Sequence, residues 1–324
     1  MGTMIKRRVL VCGAGGFIGS HLARELFNRG HFVRAVDIKW DGYLVEPYYD
    51  EKRTLDLRAP AATRMALADI DWVFQLAADM GGIGYITEKS ADVVYNNALI
   101  NLNMAHAVAS LAYKPRVFFS SSACVYPNFK QTEAQVSPLK ESDAYPADCN
   151  EAYGWEKLFS EIVYQSFVKD YHIDARIARF HNVYGPEGTW DGGKEKAPAA
   201  LCRKVAQAKS GGAIDVWGDG QATRSFCYIT DCVEAVIRLM ESEHTEPINI
   251  GSDRLVTVDE LAQMAIAASG KKLRLVHDLT KPQGVRGRNA DLTLVKQVLD
   301  WEPAVPLEDG VARTYKWVAQ EVAK

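Results

Sequence analysis

The 324 residues are 48% hydrophobic and 24% charged, with a formal net charge of −3. That composition supplies a sizeable core and excludes a global basic field that would collect nucleic acid or an anionic membrane. The six cysteines show no metal-ligand spacing, no apolar run reaches the ~18–20 residues of a membrane span, and the start lacks the apolar stretch of a secretory leader, so reduced thiols in the cytoplasm and no bound metal are expected.

In chain order, Val9-Leu10-Val11-Cys12 is a short apolar run ending in glycines and predicts a central parallel strand. Ile18, Leu22 and Leu26 recur at helical spacing and predict a helix from Phe17 to Arg29, stopped at Gly30. Strands are predicted at Phe32–Asp37, Thr54–Leu57, Trp72–Ala78, Val117–Ser120 and Ala175–Phe180, with helices at Val93–Leu111 and Ala152–Lys169. This alternation predicts an α/β fold with a doubly wound parallel sheet, whose ligands lie beyond the carboxyl ends of the strands. After Phe180 the rhythm breaks, with one helix predicted near 197–209. The expected division is a nucleotide-binding domain over 1–181, with a returning segment near 221–250. A smaller, discontinuous α/β substrate lobe is expected over 182–220 and 251–324.

Gly13-Ala14-Gly15-Gly16-Phe17-Ile18-Gly19 joins the first strand to the first helix with G-x-x-G-x-x-G spacing. Such a loop lets backbone approach a pyrophosphate at a helix N-terminus, which assigns Gly13, Gly16, Phe17, Ile18 and Gly19 to a dinucleotide. Asp37 ends the second strand, where a carboxylate accepts ribose hydroxyls and disfavours a 2′-phosphate, so NAD is expected; Lys39 nearby keeps NADP open. Asp56 and Ala77, at the ends of the third and fourth strands, complete the cofactor set.

Tyr153 and Lys157 are four apart on one helical face, where an ammonium lowers the pKa of a neighbouring phenol. Such a tyrosine takes a hydroxyl proton as the carbon is oxidised. Ser122, at the end of the Ser120-Ser121-Ser122 run, is placed to bond the same substrate oxygen. With Arg179-Phe180-His181-Asn182-Val183-Tyr184-Gly185-Pro186, Gly218-Asp219-Gly220, Arg224 and Tyr228-Ile229-Thr230-Asp231, the chain resembles the extended short-chain dehydrogenase/reductases along nearly its whole length. The resemblance implies action on a nucleoside-diphosphate sugar with bound NAD.

Within that group, dehydratases carry Thr-Asp-Glu where this chain has Ser122-Ala123-Cys124, so dehydration is disfavoured. Cys124 offers a thiol able to exchange a proton with carbon, and Lys196, following Gly192-Gly193, is a candidate acid/base for the opposite face. The stretches 77–82, 120–127, 140–143, 188–204 and 284–289 closely resemble the GDP-mannose 3,5-epimerases. The resemblance implies oxidation at C4 with Tyr153 as base, proton exchange at C3 and C5 by Cys124 and Lys196, and reduction. The products would be GDP-L-galactose, or GDP-L-gulose by C5 inversion alone. It places Gly82, Ser122, Asn182, Glu195, Ala197 and Lys204 around the sugar and phosphates, Ala222 and Thr223 beside them, and Arg224 and Arg288 at the diphosphate. It also implies a homodimer. The alternatives are a UDP-sugar 4-epimerase, for which Cys124 and Lys196 are dispensable, and a non-catalytic NAD(H)-binding regulator.

Overall fold

Alternation along the strands decides which face of the sheet each residue covers. In the computed structural model, which describes residues 6–43, 48–281 and 284–324, β1 (Arg8–Cys12) sends Val9 and Val11 into one core and Leu10 and Cys12 into the other. Met1–Ile5, read above for a leader, lie outside the described residues. The chain continues through α1 (Phe17–Asn28), β2 (Phe32–Asp37), β3 (Glu51–Thr54), α2 (Pro60–Ala66), β4 (Trp72–Gln75), α3 (Ile83–Glu88), α4 (Ser90–Ala109), β5 (Arg116–Ser122), α5 (Glu151–Tyr171) and β6 (Ala175–Phe180). It returns through β7 (Val183–Tyr184), α6 (Ala197–Gln207), β8 (Ala213–Trp217), β9 (Thr223–Ser225), β10 (Cys227–Tyr228), α7 (Ile229–Glu241), β11 (Ile248–Ile250), β12 (Leu255–Thr257), α8 (Val258–Ser269), β13 (Arg274–Asp278), β14 (Gly287–Arg288), α9 (Thr293–Leu299) and α10 (Leu307–Val322).

Seven strands form the expected parallel sheet, in the order β11-β6-β5-β4-β1-β2-β3. Leu22, Ala23 and Leu26 of α1 and the apolar side of α7 cover one face; residues of α2, α4 and α5 cover the other. Strand order reverses between β1 and β4, which opens a crevice at their carboxyl ends. Beyond the sheet, β12-β9-β14 and β13-β8 form two small sheets, and α6, α8 and α10 pack on one another.

One strand is displaced from its predicted place. The third strand is Glu51–Thr54, not Thr54–Leu57, because Glu51 pairs with buried Arg34 at 2.6 Å and fixes the register that ends at Asp37 opposite Thr54. An ion pair, rather than the apolar run, sets this edge strand, and Asp56 falls beyond it.

Candidate active site

The glycine loop folds as its spacing requires. Gly13 has φ +78°, and an added Cβ would sit 2.9 Å from the Ala77 nitrogen; at Gly19 it would sit 2.0 Å from the Gly13 carbonyl oxygen. Gly15, which the G-x-x-G-x-x-G reading passed over, is equally constrained, with Lys39 O 2.3 Å from a Cβ there. Among the described residues, α1 has no side-chain cap and no acid in its first turn, so its leading N–H groups remain available to an anion. These features fit a dinucleotide pyrophosphate at this turn. Asp37 also braces the loop. Its carboxylate accepts from the N–H groups of Gly15 (2.9 Å), Ile38 (2.7 Å) and Lys39 (3.2 Å). Asp56, expected at the adenine, pairs with Arg58 at 2.7 Å.

Tyr153 and Lys157 sit on the first turns of α5, both buried. Lys157 Nζ donates to the Ser120 carbonyl at 2.9 Å and lies 5.7 Å from the centre of the Tyr153 ring. The ammonium is thus turned towards backbone, and the expected lowering of the phenol by Lys157 is not what this geometry gives. Burial, then Cys124 and Glu156, push the Tyr153 phenol well up, against a hydrogen bond with Ser122; burial draws the Lys157 ammonium down.

Cys124 follows Ser122 on the short turn after β5, and its N–H donates to Ser122 Oγ at 3.2 Å. Burial raises this thiol, but Arg288, Ser122 and Lys196 outweigh it and hold it below its ordinary value. Arg288 Nη1 reaches Cys124 Sγ at 3.3 Å, so the guanidinium expected at the diphosphate is turned to the thiol. The other five cysteines are buried. Lys196, the N-cap residue of α6, is exposed, and the surrounding protein lowers its ammonium against the opposing pull of Cys124 and Cys232. Cysteine and lysine thus share one electrostatic neighbourhood.

Two loops hold Lys196. The Gly82 N–H donates to Lys194 O at 3.1 Å, and a Cβ at Gly82 would sit 2.7 Å from Glu195 O. Lys194 Nζ lies 3.5 Å from Asp79 and 3.7 Å from the Tyr85 ring centre. Glu195 accepts from Arg203 at 2.8 Å and from the Gly193 N–H at 2.7 Å. Asn182 (φ +44°) bonds Ser225 O at 2.9 Å, and Lys204 is committed to Asp215 at 2.7 Å. Ala222 O accepts the Val258 N–H at the turn into α8, Ala197 opens α6, and buried Thr223 bonds Ala134 O. Among the described residues Arg224 donates only to the carbonyls of Thr223 (2.7 Å) and Val285 (2.6 Å); burial and then Arg288 pull it down to about 9. Its charge meets no carboxylate among the described residues, which leaves it for an anionic ligand. Gln131 lies outside the stretches read above, and Asp79, inside 77–82, was given no role there.

The nucleotide loop, the Tyr–Lys helix and the upstream serine all lie within residues 9–251, which match the model of the NAD dependent epimerase/dehydratase family. The chain belongs to the NAD-dependent epimerase/dehydratase family. The family's cofactor, NAD, suits the loop described above. Similar proteins include GDP-mannose 3,5-epimerase 1 of Oryza sativa subsp. japonica, 47% identical over 98% of this chain and 83% of the relative. GDP-mannose 3,5-epimerase of Arabidopsis thaliana has the same identity and coverage. GDP-L-fucose synthase of Escherichia coli is 33% identical over 97% of both chains. MoeE5, solved with UDP-glucose and NAD, superposes with a TM-score of 0.81 at 26% identity over 97% of this chain and 99% of that one. UDP-glucose 4-epimerase of Thermotoga maritima, at a TM-score of 0.87, 24% identity and coverage of 97% and 99%, shares the family fold.

Proposed function

We propose that this chain epimerises GDP-D-mannose at C3 and C5, giving GDP-L-galactose, with GDP-L-gulose when C5 alone inverts. The observation that carries the reading is the pairing of an acidified Cys124 with a Lys196 whose ammonium is drawn down, beside Tyr153. An epimerase that inverts C4 alone has no use for such a pair. The 47% identity to plant GDP-mannose 3,5-epimerases supports the same substrate.

NAD, held by the Gly13–Gly19 loop and α1, supplies reversible oxidation at C4 when bound. Tyr153 takes the C4 hydroxyl proton and later returns it, with Ser122 bonded to the same oxygen. A ketone at C4 acidifies the hydrogens at C3 and C5. The Cys124 thiolate and the Lys196 ammonium then form a base and acid for opposite faces of the sugar, and their roles interchange between the two carbons. Arg224 takes the diphosphate, because a fork without a carboxylate partner suits phosphate oxygens.

Turnover of GDP-mannose in D₂O, read by NMR, tests this. Deuterium at C3 and C5 with none at C4 is the expected result. Absence of both deuterium and new sugar rejects GDP-mannose as the substrate, and a new 4-epimer without deuterium favours the 4-epimerase reading.

A homodimer is part of the proposal. Trp155, Phe159 and Ile162 on α5, with Tyr95 and Leu102 on the adjoining α4, are exposed. Their i, i+4, i+7 spacing puts the α5 residues on one face, and a contiguous apolar face marks an interaction surface. A second copy covers it, so Phe159→Glu should halve the mass seen by light scattering. The six free thiols suit the reducing cytoplasm.

A further inference from the structure

The pairing between Arg288 and Cys124 joins residues 164 apart in the chain, and the structure shows what arranges it. β14 runs parallel to β9 with Arg288 opposite Arg224, so two guanidinium groups enter the site side by side. Gln131, almost fully buried, lies beneath them. Its Nε2 donates to the carbonyls of Tyr126 (3.0 Å) and Pro127 (3.1 Å), which uses both amide hydrogens. That fixes the amide so that Oε1 faces Arg288 Nε at 2.5 Å.

The main-chain carbonyl of Gln131 also accepts from the N–H groups of Arg286 (2.9 Å) and Gly287 (3.3 Å). Gly287 permits the approach, since a Cβ there would sit 2.3 Å from Glu133 O. One residue therefore grips both the strand that carries Arg288 and the guanidinium itself. Every acceptor on Arg288 is a neutral amide or the thiol, and Nη2 is buried with no partner among the described residues. No carboxylate among those residues competes for its charge.

Resting on the proton-exchange reading above, we propose that Gln131 is a positioning residue that aims Arg288 at the Cys124 sulfur and makes it the dedicated counter-cation of that thiolate. A planar fork held at Nε presents an Nη to the sulfur in one orientation, whereas a free arginine samples many. The groups around Cys124 are Arg288 on β14, Arg224 on β9, Lys196 at the start of α6, Tyr153 and Lys157 on α5, Ser122 on β5 and Cys149 ahead of α5. Burial opposes ionisation, and Arg288 is the largest influence favouring it.

The other five thiols are buried and pushed up, so alkylation should fall selectively on Cys124. The test is the rate of Cys124 carbamidomethylation by iodoacetamide against pH, read by peptide mass spectrometry on the full chain with its NAD. Arg288→Met and Gln131→Met should each raise the midpoint by about one unit, slowing labelling near neutrality about tenfold. The epimerisation kcat of Gln131→Met should fall with KM held. Arg288→Lys keeps the charge but offers no Nε for Gln131 to hold, and should shift the midpoint as Gln131→Met does. An unshifted midpoint in Gln131→Met overturns the proposal. If that variant does not fold, an unshifted Arg288→Lys overturns it equally. Labelling does not depend on the sugar, so failure of GDP-mannose turnover and failure of this pairing are read separately.

Discussion

Gly154→Ala tests how closely the catalytic helix must approach the Cys124 turn. Gly154 lies in α5 between Tyr153 and Trp155, so by helix propensity alone alanine should stabilise by about 1 kcal/mol. The tertiary contact says otherwise. An added Cβ would sit 2.2 Å from the Cys124 carbonyl oxygen and 3.2 Å from Cys149 Cβ. To reach ordinary van der Waals separation the helix and turn must part by roughly 1 Å, a displacement of the kind that costs on the order of 10²-fold in rate when it separates reacting groups. Here it moves the Tyr153 hydroxyl away from both Ser122 and Cys124. Overpacking of about 1–3 kcal/mol, offset by the propensity gain, leaves a folded protein. The expectation is therefore a kcat lowered about a hundredfold with the melting temperature within a few degrees. Steady-state kinetics on GDP-mannose and calorimetry on the same preparation supply both numbers. A folded Gly154→Ala enzyme with wild-type kcat would refute the claim that α5 and the Cys124 turn are held at this distance for catalysis.

Further expectations follow from the other groups. Arg224→Met should raise the KM for GDP-mannose at least about tenfold, because a charge-assisted bond to an anion contributes about 1.5–3 kcal/mol; an unchanged KM would place the diphosphate elsewhere. Asp37→Ala should weaken NAD retention about tenfold or more, since it frees the Gly15 N–H and removes the ribose acceptor; titration calorimetry on NAD-stripped protein reads this directly. Acid should destabilise the fold through His21, whose pKa burial and then Arg24 depress to about 4 while Nε2 bonds Pro186 O at 3.1 Å. A histidine depressed in the native state contributes fully above about pH 6.5 and loses that contribution as pH falls towards its folded value, about 2 kcal/mol by pH 5. Urea melts at pH 7 and 5 should show the loss in wild type and a smaller one in His21→Gln; equal losses would contradict it.

Much of this protein is written locally. Strand alternation at Val9–Cys12, the glycine loop and the four-residue step from Tyr153 to Lys157 each reflect a backbone period or a steric demand that neighbouring residues express together. From them come the parallel sheet, the nucleotide turn and the catalytic helix. Cys124 and Lys196 were legible through the resemblance of the stretches around them, not through any spacing of their own. Other features depend on contacts between distant segments and leave no local trace. The third strand took its place from an ion pair between Arg34 and Glu51. Lys157 turned to the Ser120 carbonyl, and Asp37 bent back to brace Gly15. Arg288 met Cys124 only because Gln131, 157 residues before it, holds the guanidinium from below. A hydrogen bond has no period along the chain, so the sequence determined the elements and the chemistry they carry. The tertiary structure decided which charge faces which atom.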